Sequence, residues 1–420
     1  MPMQQPPNYF SFKFSQCLLG AQTLFIAMGA LVLVPLLTGM DPSVALFTAG
    51  SGTLIFQWLT YGQVPVFLGS SFAFVPPTVY AIQTWGLPAT LCGLAASGIV
   101  YFLMSLVIML KGRGFIDKLL PPLVTGPVIM GIGLILAPIA INLATGKSGD
   151  GTLVLYSESK ATLVALLALT ATILVRLFGH GKLKLIPILI GILVGYSAAL
   201  CFGMVDFSSI RQASWLQWPN FVLPKWHWQP ILLMMPIAAV SAIEHIGDIA
   251  AISAITQRNY MRYPGVHRTL MGDGLATMWA SLLGGPPNTT YSEVSAGVAL
   301  TQVFNPGIMT WSAITAIILA FVGKVGAFLQ TIPEPVMGGI LILLFGAITV
   351  TGMNLLVQAK QDLMQPRAMT IAGIILVLTL GGMSIGQGEF SISGIGLGGV
   401  IGVLLNLLLP HPKARSAALS

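Results

Sequence analysis

Charge is what this sequence has least of. Of its 420 residues only 7% are Asp, Glu, Lys or Arg, where a soluble domain carries about 25%. A water-facing surface for a chain of this length needs far more than 19 basic and 12 acidic residues, which excludes an ordinary soluble enzyme and leaves most of the surface to face lipid. Cysteine is scarce as well: Cys17, Cys92 and Cys201 sit in or beside apolar runs without ligand spacing, so neither a disulfide framework nor a metal site is expected. The basic excess, a formal +7, comes in twos and threes between apolar runs and forms no stripe, which excludes a nucleic-acid surface. A cleavable leader pattern is missing from the first sixteen residues, so the first apolar run reads as a retained span.

What is present is hydrophobic length. Apolar runs bounded by Gly, Pro or charge fall at 17–38, 43–61, 64–81, 88–110, 121–143, 161–179, 185–204, 229–252, 267–284, 288–305, 308–327, 332–352, 367–385 and 392–410, at about 20 residues per span. The chain therefore reads as an all-α polytopic membrane protein of fourteen transmembrane segments. With the N-terminus in the cytoplasm, fourteen Lys and Arg fall on cytoplasmic segments, among them Lys111, Arg176, Lys184, Arg268 and Lys360, and five on the other side. That asymmetry is the positive-inside pattern, and it puts both termini in the cytoplasm. The long external loop 205–228 holds Trp215, Trp218, Trp226 and Trp228, side chains that settle at a membrane interface.

A short internal match suggests how the spans are organised. Pro121-Pro-Leu-Val124-Thr-Gly126 in the fifth run reappears as Pro333-Glu-Pro-Val336-Met-Gly338 in the twelfth, an offset of 212. Seven spans per unit would force the second copy to enter upside down, which is a transporter plan, although one short match also arises by chance. The third and tenth runs are poor helices: Val64 to Pro77 and Gly284 to Gly297 both start with Pro, Gly and extended-favouring residues and turn helical halfway. Broken backbone survives in lipid only where it is buried in protein or lines a cavity, and paired half-helix N-termini would offer N–H groups to a polar ligand. The alternative is a pair of kinked helices with no ligand.

Eight of the twelve acids lie in loops or at span ends, while Glu244, Asp248, Asp273 and Glu293 lie inside apolar runs with no Lys or Arg deep in any run to neutralise them. Such a carboxylate must be protonated, hydrogen-bonded or facing water. Glu244 and Asp248 are four apart on one helix face, where burial and mutual repulsion favour proton uptake near neutrality; His245 is their neighbour. For Glu244 and Glu293 the alternative is a hydrogen-bonded structural pair, for His245 a packing role, and for Asp273, between Gly272 and Gly274 near Arg268, a helix-end cap or surface ion pair.

At these residues the chain resembles the nucleobase/ascorbate transporter family, and within it the bacterial uracil permeases. The resemblance runs through nearly the whole chain and is sharpest at Pro287 to Glu293, Glu244-His245-Ile246-Gly247, Gly69 to Phe74 and Ala27 to Pro35. It implies two inverted seven-span repeats with broken third and tenth spans. Residues 1–118 (spans one to four) and 229–328 (eight to eleven) would form a core domain, and 119–228 (five to seven) and 329–420 (twelve to fourteen with the tail) a gate domain. It further implies a secondary transporter of a bacterial inner membrane and not an enzyme, a homodimer that takes up a nucleobase with protons and needs no cofactor. By position, Glu244 and Glu293 would grip the base, with Phe72, Tyr291, Ser292 and Ala30 completing the pocket, and Asp248, Glu244, Asp273 and His245 would couple protons. Two carboxyl groups and half-helix N–H groups do complement the two N–H donors and two carbonyls of a uracil ring.

The match is a mosaic. Uracil permeases have Gln-His where this chain has Gln22-Thr23, His at the position of Asp248 and Asn at that of Asp273. Acids at the latter two positions resemble the xanthine permeases of the family, which instead carry Gln-Asn where Ser292-Glu293 stand. Uracil and xanthine both stay open. An anion carrier on the same plan is disfavoured by buried acids without a buried base. An intramembrane aspartyl protease needs Gly-x-Gly-Asp, absent at both Asp248 and Asp273, and Gly146-Lys147-Ser148 lacks the P-loop glycine, since Ile141 stands in its place. The sequon at Asn288 lies within a span and is discounted.

Overall fold

The computed structural model describes residues 10–112, 114, 118, 121–301, 304–385 and 392–410. Arg113, Asp117, Glu389, Lys413 and Arg415, counted above among loop and terminal charges, lie outside the described residues, as do the side chains of Ser292 and Glu293.

Each apolar run contains a helix. In chain order these are α1 (Cys17–Thr38), α2 (Pro42–Leu59), α3 (Val75–Trp85), α4 (Leu87–Lys111), α5 (Pro122–Ala144), α6 (Glu158–Phe178) and α7 (Pro187–Cys201), then α8 (Trp228–Thr256), α9 (Val266–Leu282), α10 (Ser292–Thr301), α11 (Pro306–Ala320), α12 (Glu334–Gln358), α13 (Pro366–Leu380) and α14 (Gly394–Leu408). Proline in the first turn starts many of them, where its missing N–H costs nothing and its fixed φ suits the helix. Two short helices, Ser208–Gln212 and Gly323–Gln330, lie in connections.

Among the described residues six helices are long and apolar enough to cross a membrane, namely α1 with its preceding turn, α4, α5, α6, α8 and α12, and α7, α11, α13 and most of α14 are shorter and apolar. The chain is a multi-pass membrane protein. Helices α3 and α10 are short because half of each run is extended: β1 (Leu68–Ser70) precedes α3 and β2 (Asn288–Thr290) precedes α10. The two strands pair antiparallel, Leu68 with Thr290, Gly69 with Thr289 and Ser70 with Asn288. A second pair, β3 (Ser384–Ile385) with β4 (Ile392–Ser393), precedes α14.

Packing partners come in matched pairs. Helix α4 packs on α8 and α9 as α11 packs on α1 and α2, and α2 meets α9. Helix α5 packs along α12; α6 and α7 pack on each other and on α12, as α13 and α14 pack on each other and on α5. Small residues set the closest approach, as in other membrane helix pairs. A Cβ on Gly126 would meet Leu356 at 2.8 Å and the Gly352 carbonyl at 2.9 Å, and one on Gly338 would meet the Ala144 nitrogen at 2.2 Å. Along the external loop, Trp215, Trp218 and Trp226 are 76%, 78% and 81% exposed, as interface anchors require.

Candidate functional site

The two short strands are held from behind. Asn288 Nδ2 donates to the Thr48 carbonyl of α2 (2.9 Å), the Asn288 carbonyl accepts from Thr277 Oγ1 of α9 (2.6 Å), and the Leu68 amide donates to Thr53 Oγ1 (2.9 Å). Across the strands the Ser71 amide donates to the Pro287 carbonyl at 2.9 Å. The antiparallel pairing thereby starts α3 and α10 from opposite ends of one buried two-stranded sheet, so that the first turns of both lie in the interior, where free N–H groups can serve a ligand.

Against them lies a cavity of about 700 Å³. One wall is α1 (Phe25, Ile26, Gly29), Phe72, Tyr291 and the middle of α8; the other is apolar, with Ile129 of α5 and Ile340 and Leu344 of α12. Glu244 lines it and is exposed to it. An intramembrane carboxyl group thus faces a cavity and not lipid-packed interior. Toward the ends of α6 and α12 the lining becomes polar and basic, with Arg176, Lys184, Asn354 and Gln358.

Tyr291 lines the cavity and donates its phenolic hydrogen to the Ser70 carbonyl at 2.7 Å. Its ring lies flat against Gly69, where a Cβ would come within 2.3 Å of Cε2. Only glycine fits there. Ala30 is buried in the apolar core of α1, one residue from the cavity-lining Gly29. Glu293 and Ser292 open α10, beside Tyr291.

Behind the cavity the remaining acids share one network. Asp248, also on the lining and 6% exposed, accepts from Thr290 Oγ1 at 3.0 Å. The same Thr290 oxygen is 3.3 Å from His245 Nδ1, which is 3.3 Å from Asp273 Oδ2, and Asp273 Oδ2 accepts from Thr289 Oγ1 at 3.0 Å. His245 and Asp273 are wholly buried, with the His245 ring meeting Phe56 edge-on at 6.3 Å. Asp273 is therefore neither a helix-end cap nor a surface ion-pair partner: the glycines around it are packing points, Gly272 against Phe56 and Gly274 against Tyr101. His245 is buried and its Nδ1 lies within 3.3 Å of side chains on a neighbouring helix and strand, the arrangement of a packing residue hydrogen-bonded to a neighbouring helix. Tyr101 of α4, fully buried and within electrostatic reach of Asp273, completes the surroundings. Sequence reasoning missed Thr289, Thr290 and Tyr101, and the sequence carries no signal that sets these hydroxyls apart from the others in the spans. Among the described residues no three His, Cys, Asp or Glu side chains are grouped to hold a metal ion.

Comparison with known proteins places this geometry. A model described as "Permease family" matches residues 14–387. The chain is 47% identical to a probable uracil permease of Haemophilus influenzae, covering 98% of this chain and 99% of that protein. It is 41% identical to the uracil permease of Bacillus subtilis, over 96% and 94%, and 35% identical to that of Escherichia coli, over 93% and 90%. Among solved structures, the transmembrane domain of the cyanobacterium bicarbonate transporter BicA superposes with a TM-score of 0.66 at 15% identity, covering 96% of this chain and all of that one. The murine Solute Carrier 26 family member A9 anion transporter gives 0.70 at 11% identity, over 97% and 69%. At such identities these two show a shared fold alone. The sequence matches carry more, and by them the chain belongs to the nucleobase/ascorbate transporter family of permeases.

Proposed function

We propose that the protein is a secondary active transporter that carries uracil into a bacterial cytoplasm together with a proton. The observation that carries this reading is Glu244, a carboxyl group exposed to an interior cavity, one helical turn from the buried acid Asp248 and on the same cavity wall as Tyr291, which precedes a half-length helix. A flat ring with two N–H donors and two carbonyls matches carboxyl acceptors and helix N–H donors, and Phe72 and the wall of Ile129 and Leu344 give its faces an apolar surround. Glu293 is the second carboxyl group of this grip, and Ser292 and Ala30 border it. The substrate is neutral and the coupling ion is the proton, held by Asp248, Glu244, Asp273 and His245. No cofactor enters.

The matched packing supports fourteen spans in two inverted repeats. Gly126 meets Leu356 as Gly338 meets Ala144, and the offset of 212 that relates Gly126 to Gly338 also relates Ala144 to Leu356, which is the reciprocity a twofold axis generates. The same pairing supports a core of residues 1–118 and 229–328 and a gate of 119–228 and 329–420. The cavity lies between the two, and its basic end faces the cytoplasm by the positive-inside assignment, with both termini on that side. The protein works as a homodimer in the inner membrane.

A second reading, a xanthine permease, is favoured by one specific feature, the acids Asp248 and Asp273 at positions where uracil permeases carry His and Asn. Competition of labelled uracil uptake by unlabelled xanthine, uric acid, thymine and adenine decides between them. Glu244→Gln turns one acceptor oxygen into a donor facing a ring N–H, and should weaken uracil binding by about 2 kcal/mol or more. Near-native affinity in calorimetry for both Glu244→Gln and Glu293→Gln would remove the two carboxyl groups from the pocket.

A further inference from the structure

A threonine hydroxyl joins the cavity-lining acid to the imidazole behind it. Asp248 lines the cavity, His245 and Asp273 do not, and the atom that touches both Asp248 and His245 is Thr290 Oγ1. We propose that Thr290 is a proton relay, which passes the proton taken up at Asp248 to the His245–Asp273 pair behind the cavity wall. The inference rests on the proton-coupled reading above.

Proton bookkeeping fixes the two states of the relay. A threonine hydroxyl has one hydrogen and two acceptor lone pairs. With Asp248 ionised, Thr290 donates to Asp248 Oδ2, and the neutral His245 ring holds its one hydrogen on Nε2, leaving the Nδ1 lone pair bare beside Thr290. Once Asp248 gains a proton, it donates to Thr290 and the threonine hydrogen turns to Nδ1. Passage then moves one proton from Asp248 to Thr290 while the threonine's own hydrogen goes to Nδ1, so Asp248 is ionised again and the pair behind it holds the proton. Nδ1 is the ring atom that can take part, because it lies 3.3 Å from both Thr290 Oγ1 and Asp273 Oδ2, whereas Nε2 has no hydrogen-bond partner among the described residues. The carboxylate of Asp273 balances the ring when it is charged.

Few other groups act on the pair. Glu244 lies on the cavity side of the same helix, Tyr101 approaches from α4, and Glu293 belongs to α10 with its side chain outside the described residues. Helices α1, α2, α3, α5 and α14 carry no Asp, Glu, Lys, Arg or His, and Arg268, at the start of α9, lies over the Tyr61 ring. His267 and Arg262 stand at the same end, before or within the first turn of α9. A relay of this kind keeps the proton out of contact with cavity water while the base is held, which is what ties the two cargoes together.

The test uses the full chain in proteoliposomes, with Thr290→Val, Thr290→Ser and Thr277→Val. Thr290→Val keeps the volume and deletes the hydroxyl. Uracil accumulation driven by an inward proton gradient should fall about tenfold or more, the scale of a lost proton-transfer group, while uracil–uracil exchange at equal pH on both sides persists. Calorimetry in two buffers of different ionisation enthalpy should show fewer protons taken up per uracil bound. Thr290→Ser should restore coupling, and Thr277→Val, which removes the hydroxyl that donates to the Asn288 carbonyl of the same strand, should keep it. Wild-type accumulation and proton uptake in Thr290→Val would overturn the relay, as would an equal loss in Thr277→Val or failure of Thr290→Ser to rescue, since either marks a structural role for the strand. If Thr290→Val does not fold, Thr290→Ala carries the same expectation. A wild-type protein that binds uracil yet ignores the proton gradient would overturn the coupling reading and the relay together, whereas a coupled wild type with an indifferent Thr290→Val overturns the relay alone.

Discussion

Gly69 offers the sharpest test of how the paired strands shape the pocket. An alanine there puts its Cβ at 2.3, 2.8 and 2.9 Å from Cε2, Cδ2 and Cζ of Tyr291. Carbon contacts are comfortable only from about 3.5 Å, so the ring must retreat by roughly an ångström or the strands must part. The retreat strains or breaks the 2.7 Å hydrogen bond from the Tyr291 hydroxyl to the Ser70 carbonyl. Overpacking of this kind costs about 1–3 kcal/mol, and a buried hydrogen bond about 1 kcal/mol more. Because Tyr291 lines the cavity, much of that cost should be read in binding, and a loss of about 1.4 kcal/mol or more is a tenfold weaker Kd. Calorimetry on Gly69→Ala and Tyr291→Ala, singly and combined, isolates the clash. In the Tyr291→Ala background the added methyl meets no ring, so Gly69→Ala should be close to neutral there. If it costs as much with the ring removed as with it present, the clash is not what glycine avoids at this position, and the reasoning fails.

Asp248→Asn should spare uracil affinity at low pH but abolish accumulation against a gradient, with equilibrium exchange surviving better than net uptake; loss of binding at every pH in a folded protein would place Asp248 in direct contact with the base, and unchanged concentrative uptake would make it a structural acid. Gly338→Ala should destabilise more than Gly126→Ala, because its methyl meets the backbone of residues 143 and 144 at 2.2–2.7 Å while that of Gly126→Ala meets first the Leu356 side chain, which can move, and then the Gly352 carbonyl at 2.9 Å; about 1–3 kcal/mol of overpacking should appear as a lower thermal midpoint in detergent, and the reverse order would contradict the packing of α5 on α12.

Much of the fold was legible because lipid leaves a chain few options. The run 17–38 became α1 with the same bounds, and the other runs differ from their helices mainly at the ends, where Pro and Gly leave several starting points. The third and tenth runs were read as half extended from Pro and Gly, and β1 and β2 occupy those halves. That the strands pair with each other was not legible, since Leu68 and Thr290 are joined only by tertiary structure. For the same reason the sequence could nominate Asp248, His245 and Asp273 but not connect them, as the threonines that link them lie 42, 45 and 16 residues away. Asp273 misled because glycine on both sides resembles the end of a helix. Here the glycines let α2 and α4 approach, and it is this close packing that buries the acid.

The likeness to anion transporters isolates what the side chains add to the fold. A half-helix junction offers N–H groups to anything with an acceptor, and by itself favours an anion. In this chain the described acids Glu244, Asp248 and Asp273 stand around that junction, while the cations on the cavity lining, Arg176 and Lys184, stand at its outer end. A negatively charged solute would meet attraction at the mouth and repulsion at the strands. A neutral ring with donors as well as acceptors passes both, because the carboxyl groups that repel an anion accept hydrogen bonds from its N–H groups. Inside the membrane, those acids carry a cost that a bound proton relieves. On the proposed reading, selection for a neutral base and coupling to protons are then two consequences of one feature, the acids grouped at the paired strands.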